Sequence, residues 1–86
     1  MGLLRSDCYV LAAIQVLNQA DETVSVRQIA QLISYNPTTV STSLRRLAAG
    51  GYLDYRRGTN RHWAYTILEL PDEILPYVVA VKARRQ

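Results

Sequence analysis

Cysteine occurs once in this 86-residue chain, at Cys8, and histidine once, at His62. A single cysteine excludes an intrachain disulfide framework, and with one histidine it supplies too few soft ligands for a zinc site, so neither metal nor cofactor is expected. A long apolar run is also missing. Nothing approaches the roughly 20 apolar residues that span a bilayer, and Met1 to Arg5 are not followed by the apolar segment of a secretion signal. The expectation is a cytoplasmic, intracellular protein without a membrane partner. No Gly-, Ser- or Pro-rich linker, low-complexity tract or repeat at solenoid spacing interrupts residues 1–86, which read as one domain. A chain of this length buries only a modest core, which makes a homodimer a natural source of further burial. Lysine is nearly absent: nine of the ten basic residues are arginine, whose planar fork suits bidentate contacts to phosphate and guanine. Catalysis is not expected, because a nucleophile with an oriented base needs partners that the lone His62 does not have.

Charge is unevenly placed. Between residues 34 and 66, Arg45, Arg46, Arg56, Arg57 and Arg61 face Asp54 alone, a local +4, while the whole chain carries +3, so the remainder sums to −1. A basic patch on a near-neutral body points to a polyanion at one face.

Apolar spacing gives the elements. Val10 or Leu11, Ile14 and Leu17 form one stripe, predicting a first helix over 8–19 capped by Ser6 or Asp7. Val24 to Val26 are read as a brief strand. Ser25 with Gln28 has capping-box spacing, and Val24 against Ile29 fits a hydrophobic staple, so a second helix runs from Val26 to about Ile33, burying Val26, Ile29, Leu32 and Ile33. After Ser34 and Tyr35, Asn36 reads as an N-cap and Pro37 as the first helical residue, with Tyr35 and Val40 as a second staple. Gly50-Gly51 ends this third helix, placed at 37–49. Two helices joined by so short a turn have helix-turn-helix spacing over 25–49.

The segments 52–56 and 62–68, rich in aromatic and β-branched residues, predict a hairpin over 52–68. Pairing Tyr55 with Trp63 and Leu53 with Tyr65 sets the core face, puts Arg57 opposite Arg61 and leaves Gly58-Thr59-Asn60 as the loop. Ile74, Tyr77, Val78 and Val81 predict a fourth helix over about 73–84, although Pro76 and the β-branched valines oppose it. These four side chains, with the outer side of the first helix, are the candidate dimer interface. The fold class is therefore mainly α with a small β-hairpin (α+β): a three-helix core, a wing and a C-terminal helix.

Taking Val40 as the core direction at about 100° per residue, Leu44 and Leu47 fall within about 40° of it. Thr38, Thr42, Arg45 and Arg46 then point outward, with Thr39 and Ser41 on the flanks. Hydroxyls and arginines without any acid are unusual for a solvated helix face, and threonine and serine are mediocre helix formers. DNA explains them, since arginine bridges guanine O6 and N7, a threonine methyl meets a thymine methyl, and hydroxyls serve phosphates or base edges. Arg56, Arg57, Thr59, Asn60 and Arg61 of the hairpin are candidate contacts to an adjacent minor groove or its phosphates. Ser25, Arg27 and Gln28 are candidate phosphate contacts at the start of the second helix, where capping alone explains Ser25 and Gln28 equally well.

The run from Val24 through Ala30, Asn36-Pro37-Thr38-Thr39-Val40-Ser41, and Leu44-Arg45-Arg46-Leu47 to Gly51-Tyr52-Leu53 resembles the winged helix-turn-helix transcription regulators, including MarR-like and related small prokaryotic repressors. The resemblance covers about residues 8–68. It implies helix 37–49 in the major groove, a wing 56–62 along the backbone or in the minor groove, and often a dimer through terminal helices. The expected function is sequence-specific double-stranded DNA binding by a small repressor-like regulator. The alternative is a winged helix serving protein–protein interaction, or an accessory factor of replication or a mobile element.

Overall fold

The computed structural model describes residues 3–57 and 63–85. In chain order the elements are α1 (Arg5–Gln19), α2 (Val26–Ile33), α3 (Pro37–Ala49), β1 (Leu53–Arg57), β2 (Trp63–Ile67), a 3-10 turn (Asp72–Ile74) and α4 (Leu75–Arg84). The result is the three-helix core with a two-stranded antiparallel wing and a closing helix that the sequence predicts.

α1 is the central element, touching α2, α3 and α4. Its Val10, Leu11, Ala12, Ala13 and Ile14 are wholly buried, so apolar side chains surround it on nearly every side and not on one stripe only. It begins three residues earlier than the apolar pattern implies. Leu4 is the N-cap, and the Asp7 carboxylate, in the first turn, accepts the Leu4 N–H at 3.4 Å. That is the side-chain-to-cap half of a capping box, and Asp7 supplies it from inside the helix rather than as the cap.

Each of the first three helices closes in the same way. Asp21, Ser34 and Gly51 take left-handed φ values of 58°, 59° and 84°. The next residue then reaches back five positions: Glu22 N–H to the Leu17 carbonyl, Tyr35 to Ala30 and Tyr52 to Leu47, at 3.0–3.1 Å. This is the Schellman pattern, which satisfies carbonyls that a helix end leaves open. Only the third uses glycine; Asp21 and Ser34 accept the steric cost of the left-handed region to stop α1 and α2.

Both predicted caps form. Ser25 Oγ accepts the Gln28 N–H at 3.1 Å, and Asn36 Oδ1 accepts the Thr38 N–H at 2.8 Å. The brief strand expected at Val24 to Val26 does not: Val24 and Ser25 pair with no strand, although Ser25 is extended, and Val26 is already helical. Within α2, Ile29, Ala30 and Ile33 are buried, whereas Val26 and Leu32 are only half-buried.

The hairpin register departs from the expected one by two residues. Leu53 pairs with Ile67, Tyr55 with Tyr65 and Arg57 with Trp63. The face assignment survives, since a shift of two returns every side chain to the same side of the strand. The residues between the strands, 58–62, and with them Thr59, Asn60 and Arg61, lie outside the described ones, as does the side chain of Arg57. Leu68 N–H bonds to the Tyr52 carbonyl at 2.9 Å and closes the hairpin base, while Asn18 Nδ2 donates to the Tyr65 carbonyl at 3.2 Å and ties it to the end of α1.

Pro76 is tolerated because a 3-10 turn precedes α4 and places the proline in the first helical turn, where its missing N–H was not needed. Ile74, Val78 and Val81 are buried and Tyr77 is half-buried, its ring edge-on to Tyr9 of α1 at 4.9 Å. This corrects the candidate dimer interface. The apolar stripe of α4 is taken up by the chain's own α1, and what α4 leaves outside is Leu75 and Val79, 51% and 68% exposed. Among the described residues no helix is long and apolar enough to cross a membrane.

Candidate nucleic-acid interface

α3 is held by Val40, Ser43, Leu44 and Leu47, which face the core, so its other side is left to solvent. Thr38, Thr42 and Arg45 are exposed there, and Thr39 and Ser41 are half-buried on the two flanks. This is the distribution expected from the helical wheel. Thr42 Oγ1 donates to the Thr38 carbonyl at 3.0 Å, an intrahelical bond that parks the hydroxyl against the backbone and turns the methyl outward. Arg45 makes no ion pair among the described residues, whose salt bridges are Asp7–Arg46, Asp54–Arg56 and Glu22–Arg85. It borders a cleft of about 190 Å³ together with Ser41, Leu44, Val26, Tyr55 and Tyr65, where α3 meets the hairpin.

Arg46 departs from the expected outward role. Its Nη2 lies 2.9 Å and its Nε 3.2 Å from the two carboxylate oxygens of Asp7, and Nη2 also reaches Ser43 Oγ at 3.4 Å. The Asp7 side chain is 4% exposed, against 43% for Arg46, so the pair sits at the edge of the α1–α3 contact with its acid inside. The hydrogen bonds to Asp7 raise the Arg46 pKa still further above its ordinary value. On the helical wheel Arg46 lies roughly 120° from Val40, on the flank where the start of α1 passes. No acid lies nearby in the sequence to reveal this, because Asp7 is 39 residues away.

The other candidates divide in the same manner. Ser25 and Gln28 serve as caps, the Ser25 hydroxyl also donating to Gln28 Oε1 at 3.4 Å, so the capping explanation accounts for both. Arg27 is exposed beside them. Arg56 is exposed on the wing and 3.6 Å from Asp54, a solvent-screened pair that leaves it available. Tyr65 is buried on the inner hairpin face with Tyr55 at 6.0 Å between ring centres, and burial pushes its phenol pKa up. It is therefore a packing residue.

A helix-turn-helix whose second helix turns an acid-free, hydroxyl-lined face to solvent, next to a basic two-stranded wing, defines a winged-helix DNA-binding regulator. The chain belongs to the iron dependent repressor family, N-terminal DNA binding domain, whose profile matches residues 5–59. That family is a DNA-binding repressor domain, which makes this chain a DNA-binding, repressor-like regulator with duplex DNA as its partner. Neither the curated proteins nor the solved structures contain a match.

The family name raises the matter of iron, and the described residues do not fit it. No three histidine, cysteine or acidic side chains among them converge on a point. Cys8 is buried, and desolvation first, then the nearby charges of Glu73 and Asp7, push its pKa up, away from the thiolate that binds metals. Asp7 is already committed to Arg46.

Proposed function

We propose that the protein is a sequence-specific double-stranded DNA regulator that inserts α3 into the major groove, with Arg45 and Thr42 as readers of base edges. Thr38, Thr39 and Ser41 serve the flanking phosphates, and Arg56, Arg57, Thr59, Asn60 and Arg61 of the wing clamp the backbone or the adjacent minor groove. Arg27 adds a phosphate contact at the start of α2, with the helix dipole behind it. The observation that carries this reading is the exposed line Thr38, Thr42, Arg45, where an arginine without an ion pair among the described residues stands beside hydroxyls and outside the core.

Two copies acting together extend the reading. Leu75 and Val79 lie one turn apart on the outer side of α4, and covering them with a second copy makes a cytoplasmic homodimer that reads an inverted repeat. Its half-sites then fall about one helical turn apart, roughly 34–36 Å.

Selection of bound fragments from random duplex DNA supplies the cognate site, and fluorescence titrations test it. Arg45→Ala and Thr42→Ala should each shrink the preference for cognate over scrambled duplex by about 1–3 kcal/mol, or roughly 5- to 150-fold, whereas Arg56→Ala should weaken both duplexes alike. Helix variants that lose both duplexes equally would reverse reader and clamp. The same titrations give stoichiometry: two chains per inverted repeat supports the dimer, and one chain on a non-palindromic site ends it.

A further inference from the structure

Away from the α3 face, three tyrosines and two arginines from three different places in the chain converge. The Tyr9 ring of α1 has Tyr35, from the α2–α3 turn, at 5.9 Å and Tyr77 of α4 edge-on at 4.9 Å. Two guanidinium groups approach that same ring, Arg5 with its Cζ at 6.0 Å and Arg84 at 5.5 Å from the ring centre. The tyrosines are half-buried and both arginines exposed. Neither arginine has an acidic partner among the described residues, and Arg84 spends one N–H on the Leu32 carbonyl at 3.4 Å.

Two cations near one aromatic ring repel each other, and no ion pair among the described residues neutralises either of them. A guanidinium over an aromatic ring keeps its five N–H donors uncommitted by that contact, and with both arginines exposed the two can offer N–H donors to an anion at this surface. Its position is informative. Tyr35 immediately precedes Asn36, the cap of α3, and the start of α1 is tied to α3 by Asp7–Arg46 at 2.9 Å and by Ser6 to Ser43 at 3.4 Å. The patch thus lies beside the start of α3, on the flank where α1 is fastened to it.

We propose that Arg5 and Arg84, seated on Tyr9, bind phosphates of the DNA backbone beyond the segment gripped by α3 and the wing. This rests on the major-groove reading above and extends the footprint by one further stretch of backbone. A duplex carries a negative charge every ~1.7 Å along its axis, so a cationic surface flanking a groove-inserted helix meets phosphates without needing a particular sequence.

The test is the salt dependence of binding to a cognate and to a scrambled duplex. Each phosphate neutralised contributes about 0.9 to the log–log slope. Arg5→Gln combined with Arg84→Gln should flatten the slope by about 1.8 for both duplexes alike, and the corresponding double lysine variant, which keeps the charges, should retain the wild-type slope. Thermal melts run alongside. If the double glutamine variant fails to fold, Arg5→Gln alone, with no hydrogen bond among the described residues to lose, should flatten the slope by about 0.9. An unchanged slope together with a lowered melting point means that the arginines only fasten α4 to α1, which overturns the proposal while the α3 reading stands. A wild type that binds no duplex at any salt overturns both.

Discussion

Leu47→Ala should lower the unfolding free energy by about 2–5 kcal/mol, the cost of removing a buried isobutyl group and leaving a cavity. Leu47 has no exposed surface and lies on the inner side of α3. At about 0.05–0.15 kcal/mol per residue a chain of this length has only roughly 4–13 kcal/mol to lose. The variant should therefore be partly unfolded near physiological temperature, with DNA binding lost in proportion to the unfolded fraction. Leu68→Ala, at a side chain 60% exposed, is the control and should stay within about 0.5 kcal/mol of wild type. Urea titrations of the two variants decide it: a loss below about 1 kcal/mol for Leu47→Ala would mean that α3 is not anchored through this residue.

Among single arginine-to-alanine variants, Arg46→Ala should have the lowest melting temperature, although two other arginines also have acidic partners. The reason lies in the partner. Asp7 is almost wholly buried and receives Arg46 Nε and Nη2 together with the Leu4 N–H, so deleting Arg46 strands a carboxylate with one long hydrogen bond. Asp7→Asn placed in the Arg46→Ala background should then recover part of the lost stability, because it removes the charge that had become costly. By contrast, Arg56→Ala should melt like wild type, its Asp54 partner being 49% exposed and 3.6 Å away. A melt of Arg46→Ala indistinguishable from that of Arg56→Ala would show that Asp7 and Arg46 are not coupled in solution.

How far the sequence foretold this molecule depends on the range of the interaction concerned. α2 and α3 were legible to the residue, because Ser25, Asn36, Pro37 and Gly51 fix helix ends through contacts only a few positions away. The start of α1 was not, since its cap depends on Asp7 reaching backward and on burial around the whole helix. The hairpin's inner face was legible from the alternation of Leu53, Tyr65 and Ile67, but its register was not: alternation repeats every two residues and cannot distinguish pairings that differ by two. On α3, the exposure of Thr38, Thr42 and Arg45 followed from helical geometry alone. Arg46 did not, because its partner is distant in sequence, and neither did the meeting of Arg5, Tyr9, Tyr35, Tyr77 and Arg84. The apolar spacing of α4 was visible, but spacing cannot say whether a stripe meets its own chain or another. Here α1 occupies it.

The division of labour within α3 bears on how such a protein changes over time. Val40, Ser43, Leu44 and Leu47 meet every demand the core makes on this helix, and Arg46 secures its flank to α1. Thr38, Thr42 and Arg45 carry none of that burden. Mutations at those three positions are shielded from the stability threshold that purges most substitutions, so, on the proposed reading of α3, they can accumulate and be tried against new operator sequences while the scaffold beneath stays intact. Under that proposal, specificity is drawn on a surface that can be rewritten, which lets a small repressor lineage diverge in its targets faster than in its fold.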